Sequence, residues 1–229
     1  MWGLVIWLFV RPEKIGLLDV VRVSLFTSIT GAFIVGFLYR LPGLSAVLGA
    51  THDPKILVRL PAYVFGVGLL EESVKAVPLL WIFVRNREPG TLREISYLGC
   101  VSGFAFGVSE AVSYSLFYAQ GVASGSMSLG AFVVVQLTRL ITLPLLHAVF
   151  SGVAGVFIAL GVETRSLRFA LILSGLGLAA LIHGVYNALS GTLLGFAVAV
   201  AAVLLFIGYV RGVEEMRIGV RAAARELDG

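Results

Sequence analysis

Two adjacent glutamates and a lysine lie inside an otherwise apolar stretch of this sequence. Glu71, Glu72 and Lys75 are near the middle of the run Leu60–Val84. A charge at the centre of a bilayer costs about 2.5–3.5 kcal/mol on insertion scales. In a helix, Lys75 follows the two carboxylates by four and three residues, and the three side chains share an arc of about 100°. This stripe must therefore face protein or water, either as an active site or ion path or as a buried ion pair that fixes helix packing.

The composition predicts an all-α polytopic membrane protein. Of the 229 residues, 59% are hydrophobic and 13% are charged, whereas a soluble domain carries about 25% charged residues. Several apolar runs reach the ~20 residues that cross a bilayer. We expect a bundle of about seven transmembrane helices, or six if Met1–Val10 lies in the membrane interface. Met1–Val10 has neither the basic region nor the small-residue cleavage site of a signal peptide.

Short polar segments divide the chain into predicted spans. After Met1–Val10, these are Ile15–Tyr39, Leu60–Val84, Ile95–Ala119, Leu129–Leu160, Leu167–Leu189 and a last span ending at Val210. The predicted connections include 11–14, 85–90, the polar loop 120–130 and the tight turn 190–192.

Prolines and polar residues predict several local features of these spans. The third predicted helix should bend near Pro61. Asp53 followed by Pro54 resembles an N-cap with proline at the first helical position. The segment from Leu129 is too long for one simple crossing, so Arg139 should mark an interfacial boundary and Pro144 a kink.

The distribution of charge predicts domain organisation and orientation. We expect residues 1–210 to form one transmembrane domain and 211–229 to form a tail with apolar residues at helical spacing. This tail is predicted to be an amphipathic helix on the membrane, with a plain solvated helix as the alternative. Arginines and lysines concentrate in alternate connections and in the tail, so the positive-inside rule places the C-terminus in the cytoplasm of a cell-membrane protein. The net charge of +4 suits anionic lipid headgroups, and nothing points to nucleic acid.

Four predicted helices carry ionisable residues at membrane depth. On one helix, Gly99, Gly103 and Gly107 form a doubled GxxxG pattern that permits close helix contact, and Glu110 points from this packed face into the bundle. Buried charges and imidazoles need partners, and the cheapest partners are one another. The residues concerned are Glu71, Glu72, Lys75, Glu110, His147 and His183.

Such a cluster is suited to activating water. A carboxylate in a low-dielectric site can act as a general base near neutral pH, and a second acid or a histidine can hold the same water or protonate a leaving amine. Asn187 could donate hydrogen bonds to an oxyanion. The same groups could bind a divalent metal such as zinc, although there is no HExxH motif and Lys75 neutralises part of the charge. The single Cys100 excludes an internal disulfide and a cysteine-based metal site.

Four short motifs resemble those of PrsW-type intramembrane proteases, within the superfamily of CAAX-processing and bacteriocin-processing (CPBP, or Abi) membrane proteases. They resemble, in chain order, an EExxK motif, an FxxxE motif and two histidine motifs. Each lies on its own predicted span, and the resemblance covers roughly 60–191. The matching segments are Glu71–Lys75, Phe106–Glu110, His147–Ser151 and His183–Asn187.

The resemblance implies a glutamate-dependent intramembrane endopeptidase that cleaves other membrane proteins. By analogy with the CAAX-processing branch, Glu71 would activate water, and Glu110, which stands where that branch has a histidine, would share this role. His147, His183 and Asn187 would polarise the scissile carbonyl and hold the oxyanion. Which of Glu71 and Glu72 is the catalytic base stays open. The remaining motif residues are Lys75, as the structural ion-pair partner of Glu72, and Phe106 and Ser151 as supporting residues.

The expected partners are a membrane-protein substrate and the lipid bilayer, with oligomeric state open. We expect no cofactor, with a metal such as zinc left open. The sequence departs from the family pattern at Ala111, where asparagine is common, and at Asn187, where aspartate is common. Because Asn187 cannot act as an acid, its role is limited to hydrogen bonding.

Two other functions use the same residues. The chain could be a non-catalytic membrane scaffold, because the superfamily fold also resembles a subunit of gamma-secretase. It could also be a proton-coupled transporter or channel, since proton and ion paths use the same ionisable side chains. Transporters often have internal repeats, and we find no convincing repeat in this sequence.

Overall fold

All regular structure in the described part of the chain is helical, which confirms the all-α prediction. The computed structural model describes residues 2–12, 15–85 and 90–228, so Glu13, Lys14 and 86–89 of the predicted turns lie outside the described residues. The helices are α1 (Trp2–Val10), α2 (Leu17–Leu38), α3 (Pro42–Ala50), α4 (56–85), α5 (Leu92–Ala123), α6 (Leu129–Glu163), α7 (Arg168–Leu189) and α8 (Leu193–Asp228).

Five of these helices are long and apolar enough to cross a bilayer. They are α2, α5, α6, α7 and the Leu193–Val213 part of α8. The charged helix α4 is about 45 Å long at 1.5 Å per residue, which also exceeds the ~30 Å hydrocarbon core. α1 has nine residues and is only about 14 Å long. Its length therefore favours the interfacial placement over a seventh span.

The α5–α6 hairpin is longer and more regular than its sequence predicts. The expected loop 120–130 shrinks to 124–128, because α5 continues to Ala123 and α6 begins at Leu129 after the N-cap of Ser128. The segment from Leu129 forms one uninterrupted helix, α6, of 35 residues that continues through Pro144. At 1.5 Å per residue this helix is about 52 Å long, which agrees with the prediction that the segment is too long for one simple crossing of a ~30 Å hydrocarbon core. Helix α5 packs closely against the turn at Pro144, because Gly107 has no side chain and a Cβ there would lie 2.8 Å from the Cα of Pro144.

The segment before α4 also differs from the prediction. Asp53 is not an N-cap, because α4 begins three residues later at Ile56 with Lys55 in the capping position. The Asp53 carboxylate instead accepts a 2.7 Å hydrogen bond from the backbone N–H of Lys55, which is an Asx turn.

Helix α4 contains two π-helical segments on either side of the charged stripe. Its parts are Ile56–Pro61, the π-helical Ala62–Gly68, Leu69–Leu79 and the π-helical Leu80–Arg85. The first π-helical segment starts immediately after Pro61, whose ring and missing N–H disturb the normal hydrogen-bond ladder. π-helical turns are frequent at functional sites, and here one ends directly before the turn that carries Glu71 and Glu72.

Glycines bring two pairs of helices close enough for their polar side chains to meet. Gly99 and Gly103 of α5 contact the α6 backbone, at Ser151 and His147 respectively. Gly68 of α4 contacts the backbone of α7 in the same way. A methyl group at these positions would overlap backbone atoms. The close approach predicted from the GxxxG pattern is therefore present and places α6 directly against α5.

The predicted tail continues α8 without a break. Val213 is buried in the core, and the side chains of Arg217 and Arg221 form ion pairs of 3.5 and 3.0 Å with Glu163 at the end of α6. These contacts hold the last turns of α8 against the same end of the bundle as the α6–α7 connection.

Candidate active site

Glu72 is the centre of a buried polar network. One carboxylate oxygen, Oε1, lies 2.7 Å from Nζ of Lys75 and 2.9 Å from Nδ1 of His183. The other oxygen accepts a 2.8 Å hydrogen bond from the hydroxyl of Ser151. The side chain is fully buried. Glu72 therefore has partners for both oxygens and positions groups from α4, α6 and α7.

Lys75 links this network to the second histidine. Its ammonium lies 2.6 Å from Nδ1 of His147 and 3.5 Å from Oε2 of Glu71. The ring of Phe106 lies under the ammonium, 4.5 Å from Nζ to its centroid, which is within cation–π range. The EExxK lysine and the FxxxE phenylalanine thus meet in one contact.

Glu71 differs from its neighbour because one of its oxygens has no hydrogen-bond partner among the described residues. Oε1 accepts a 3.0 Å hydrogen bond from the hydroxyl of Tyr39, the residue directly after α2. Oε2 is buried without a hydrogen bond and lies 3.9 Å from Nε2 of His183. Sequence reasoning missed Tyr39, because a tyrosine at the end of a span is typical of the membrane interface and belongs to none of the four motifs.

Glu110 lies opposite this arrangement, on α5. Its Oε2 is 2.7 Å from Nε2 of His147, yet that oxygen forms no hydrogen bond of acceptable direction. We therefore describe the contact as close but poorly aligned. The ring of Phe150 stacks on His183 with 5.1 Å between centroids, which holds the orientation of the second imidazole.

A cavity of about 480 Å³ opens beside these groups. Glu110, His147, His183 and Asn187 all line it. Glu71 is not among the residues that line it, although its Oε2 lies 3.9 Å from Nε2 of His183, which does line it.

Comparison with known proteins identifies the family. The family model that matches the chain describes a PrsW family intramembrane metalloprotease, and the match covers residues 20–212. The chain belongs to the PrsW family. Membership implies a protease embedded in the membrane that acts on membrane proteins in the bilayer. No curated protein and no solved structure matches the chain.

The PrsW description as a metalloprotease can be tested against the donor atoms of this site. Glu71, His147 and His183 each offer one ligand atom, and these atoms lie within 4.8 Å of one another. Two histidines and a glutamate form the ligand set of several catalytic zinc sites. The contact of His183 Nδ1 with Glu72 is also typical of a metal-bound histidine, whose other ring nitrogen commonly bonds a carboxylate that orients the ring.

His147 fits a metal less well than the other two donors. A lysine ammonium only donates hydrogen bonds, so Nδ1 of His147 must accept from Lys75 at their 2.6 Å contact. A neutral imidazole then carries its proton on Nε2, which removes this nitrogen as a metal ligand. The full ligand set requires a neutral Lys75 that accepts from Nδ1. With these contacts, the site fits acid–base chemistry better than metal binding.

Proposed function

We propose that the chain is an intramembrane endopeptidase that hydrolyses peptide bonds with a water activated by Glu71 and Glu110. One observation carries the proposal: buried oxygens of these two carboxylates, each without a well-directed hydrogen bond, adjoin Nε2 of His183 and Nε2 of His147. Unsatisfied buried acceptors are costly, and a reacting water would satisfy them.

The surroundings support different roles for the two neighbouring glutamates. Oε2 of Glu71 forms no hydrogen bond among the described residues and has only a long, 3.5 Å ion pair with Lys75, so Glu71 is the better candidate for the general base. Glu72 already has three partners and is a positioning residue, with Lys75 as its ion-pair partner. The Nε2–H group of His147 and the amide of Asn187 are the donors that would stabilise the oxyanion and orient the carbonyl, and His183 would pass a proton to the leaving amine.

A metal-dependent form of the same hydrolysis is the second candidate, favoured by the convergence of Glu71, His147 and His183. These three residues would hold the ion. When bound, zinc would supply hydroxide at neutral pH and polarise the carbonyl. In that case Glu110 would act as the general base beside the metal.

The cavity supports cleavage on the extracytoplasmic side. Ser190 and Gly191 line it, and both lie at the opposite end of α7 from Arg168. The positive-inside rule places the arginines of the α6–α7 connection and the end of α8 in the cytoplasm. Substrates would then be cut in the outer half of the bilayer, where a transmembrane segment can unwind and water can enter.

The competing functions predict different behaviour. A scaffold without catalysis would need no free acceptor oxygens beside the imidazoles, and a transporter would require a second opening of the cavity. Dependence of cation flux on Glu71 in liposomes would favour a transporter over a protease.

The experiment uses the purified full chain in liposomes with candidate single-span proteins as substrates. We expect cleavage by the wild type and loss of at least about a thousandfold in Glu71→Gln, because removal of a catalytic group commonly costs this much. Asp19→Asn is the matched control, since the Asp19 carboxylate pairs, among the described residues, only with Arg22, in an exposed contact of 3.5 Å outside the cavity. Equal cleavage by Glu71→Gln and the wild type would contradict the proposed base.

A further inference from the structure

Arg139 is a cation inside the cavity without an anionic partner. It lines the same cavity as Glu110, His147 and His183, and it is half-buried. Within the described residues its guanidinium forms no ion pair and no hydrogen bond, and Glu110, the carboxylate in that wall, contacts His147 instead. A half-buried arginine in a cavity, without an anionic partner among the described residues, indicates a place for an anion, because buried charges are normally paired.

Two tyrosines of α5 hold the guanidinium in place. Its central carbon lies 3.8 Å from the ring centroid of Tyr114 and 5.6 Å from that of Tyr118, and the two rings stack on each other at 5.9 Å. Stacking uses the face of the guanidinium. The N–H groups at its edge are then free to bind a carboxylate with two parallel hydrogen bonds.

The position of Arg139 along the helices gives its distance from the reacting groups. Tyr114 follows Glu110 by one helical turn, about 6 Å, and Arg139 precedes His147 by eight residues, about 12 Å. The guanidinium therefore lies roughly 6–12 Å outward from the Glu110–His147 contact. An extended peptide advances about 3.3 Å per residue, so this distance corresponds to two to four substrate residues.

We propose that Arg139 is a specificity-determining residue that binds a substrate carboxylate, an aspartate or glutamate side chain two to four residues from the cleaved bond. This inference rests on the proposed protease function. A peptide is favoured over a lipid phosphate because Arg139 shares one cavity with the acid and imidazole groups, ten residues inside the start of α6 at Leu129.

The test uses a library of single-span proteins whose ten extracytoplasmic residues next to the membrane are randomised, in neutral phosphatidylcholine liposomes. Mass spectrometry of the products locates each cut. For the wild type we expect about tenfold enrichment of acidic residues two to four positions from the cut, in line with a hydrogen bond to a charged group. Arg139→Gln should lose the enrichment while it still cleaves, and Arg139→Glu should prefer lysine or arginine there. Arg40→Gln, which changes an exposed arginine outside the cavity, should keep the wild-type preference.

A binding arm separates failure of this inference from failure of the proposed function. Catalytically impaired Glu71→Gln should bind a glutamate-containing library segment about tenfold more tightly than its glutamine counterpart, and adding Arg139→Gln should remove the difference. If the wild type cuts nothing but this difference persists, the protease proposal fails and the carboxylate site stands. Unchanged acidic preference in both arms after Arg139→Gln overturns the inference. An effect of Arg139→Gln that occurs only in liposomes with added phosphatidylglycerol would also overturn the inference, because it would identify a lipid phosphate site.

Discussion

Glu71 and Glu72 are neighbours in sequence, yet their surroundings give them separable roles. Glu72 contacts Lys75, Ser151 and His183, whereas Glu71 receives one hydrogen bond, from Tyr39. Glu72→Gln should therefore reduce the free energy of unfolding by about 3 kcal/mol, because it leaves a buried ammonium with a weaker partner. Glu71→Gln should change stability little and activity greatly. Thermal unfolding and cleavage assays on both variants check this, and equal destabilisation would show that the two glutamates share one structural role.

Tyr39 provides a second prediction at the residue scale. Its hydroxyl holds Oε1 of Glu71 at 3.0 Å, which directs Oε2 toward His183. Tyr39→Phe should lower kcat by about tenfold or more through loss of a hydrogen bond to a charged group, and KM should stay the same because Tyr39 does not line the cavity. Steady-state kinetics measures both constants. Tyr209→Phe, a change in a residue that packs on Phe157, is the control, and a change in KM alone would argue against positioning.

At the scale of elements, glycines determine how closely the catalytic helices approach. A Cβ at Gly103 would overlap the carbonyl oxygen of His147 and lie 2.8 Å from Oγ of Ser151. Gly103→Ala should therefore cost about 1–3 kcal/mol of stability through overpacking and displace His147, with a loss of activity at temperatures where the fold persists. Gly130→Ala is the matched control, since a Cβ there has no neighbour within 4 Å. Thermal unfolding and activity at low temperature distinguish the two effects.

The metal question belongs to the whole molecule, because groups from three helices decide it. The contact between Lys75 and His147 favours a protonated Nε2, so we expect activity to survive strong chelators such as 1,10-phenanthroline. Metal analysis of the active protein should then find less than one equivalent of zinc. Stoichiometric zinc, with activity lost on its removal and restored on its return, would establish the metalloprotease form instead.

Orientation of the whole bundle gives the last prediction. Ser190 and Ser166 are exposed at opposite ends of α7, and Cys100 is buried. In a Cys100→Ala background, Ser190→Cys should react with an impermeant thiol reagent from outside the cell and Ser166→Cys only from the cytoplasm. The reverse labelling would place the cavity on the cytoplasmic side.

The amino-acid sequence by itself determined the class of fold and the candidate residues. Long apolar runs predict helices in a bilayer, because a helix satisfies its backbone N–H and C=O groups within the segment. Charges such as Glu71 and Lys75 within those runs are expected to pair with one another. The glycine spacing on α5 likewise indicates which face of that helix packs against a neighbour. These features follow from local periodicity and from the cost of burying charge.

The tertiary structure decided what each polar group contacts. Helical spacing allows Lys75 to reach either glutamate. In the folded chain, His183 and Ser151 from other helices contact Glu72, so both carboxylate oxygens of Glu72 have partners. Contacts between distant segments, such as Tyr39 with Glu71, leave no periodic signal in the sequence. The close packing of α5 against α6 at Pro144, where Gly107 leaves no room for a side chain, is likewise a contact between distant segments. Local patterns report which residues must be buried, whereas the partner of each buried group depends on how whole helices pack.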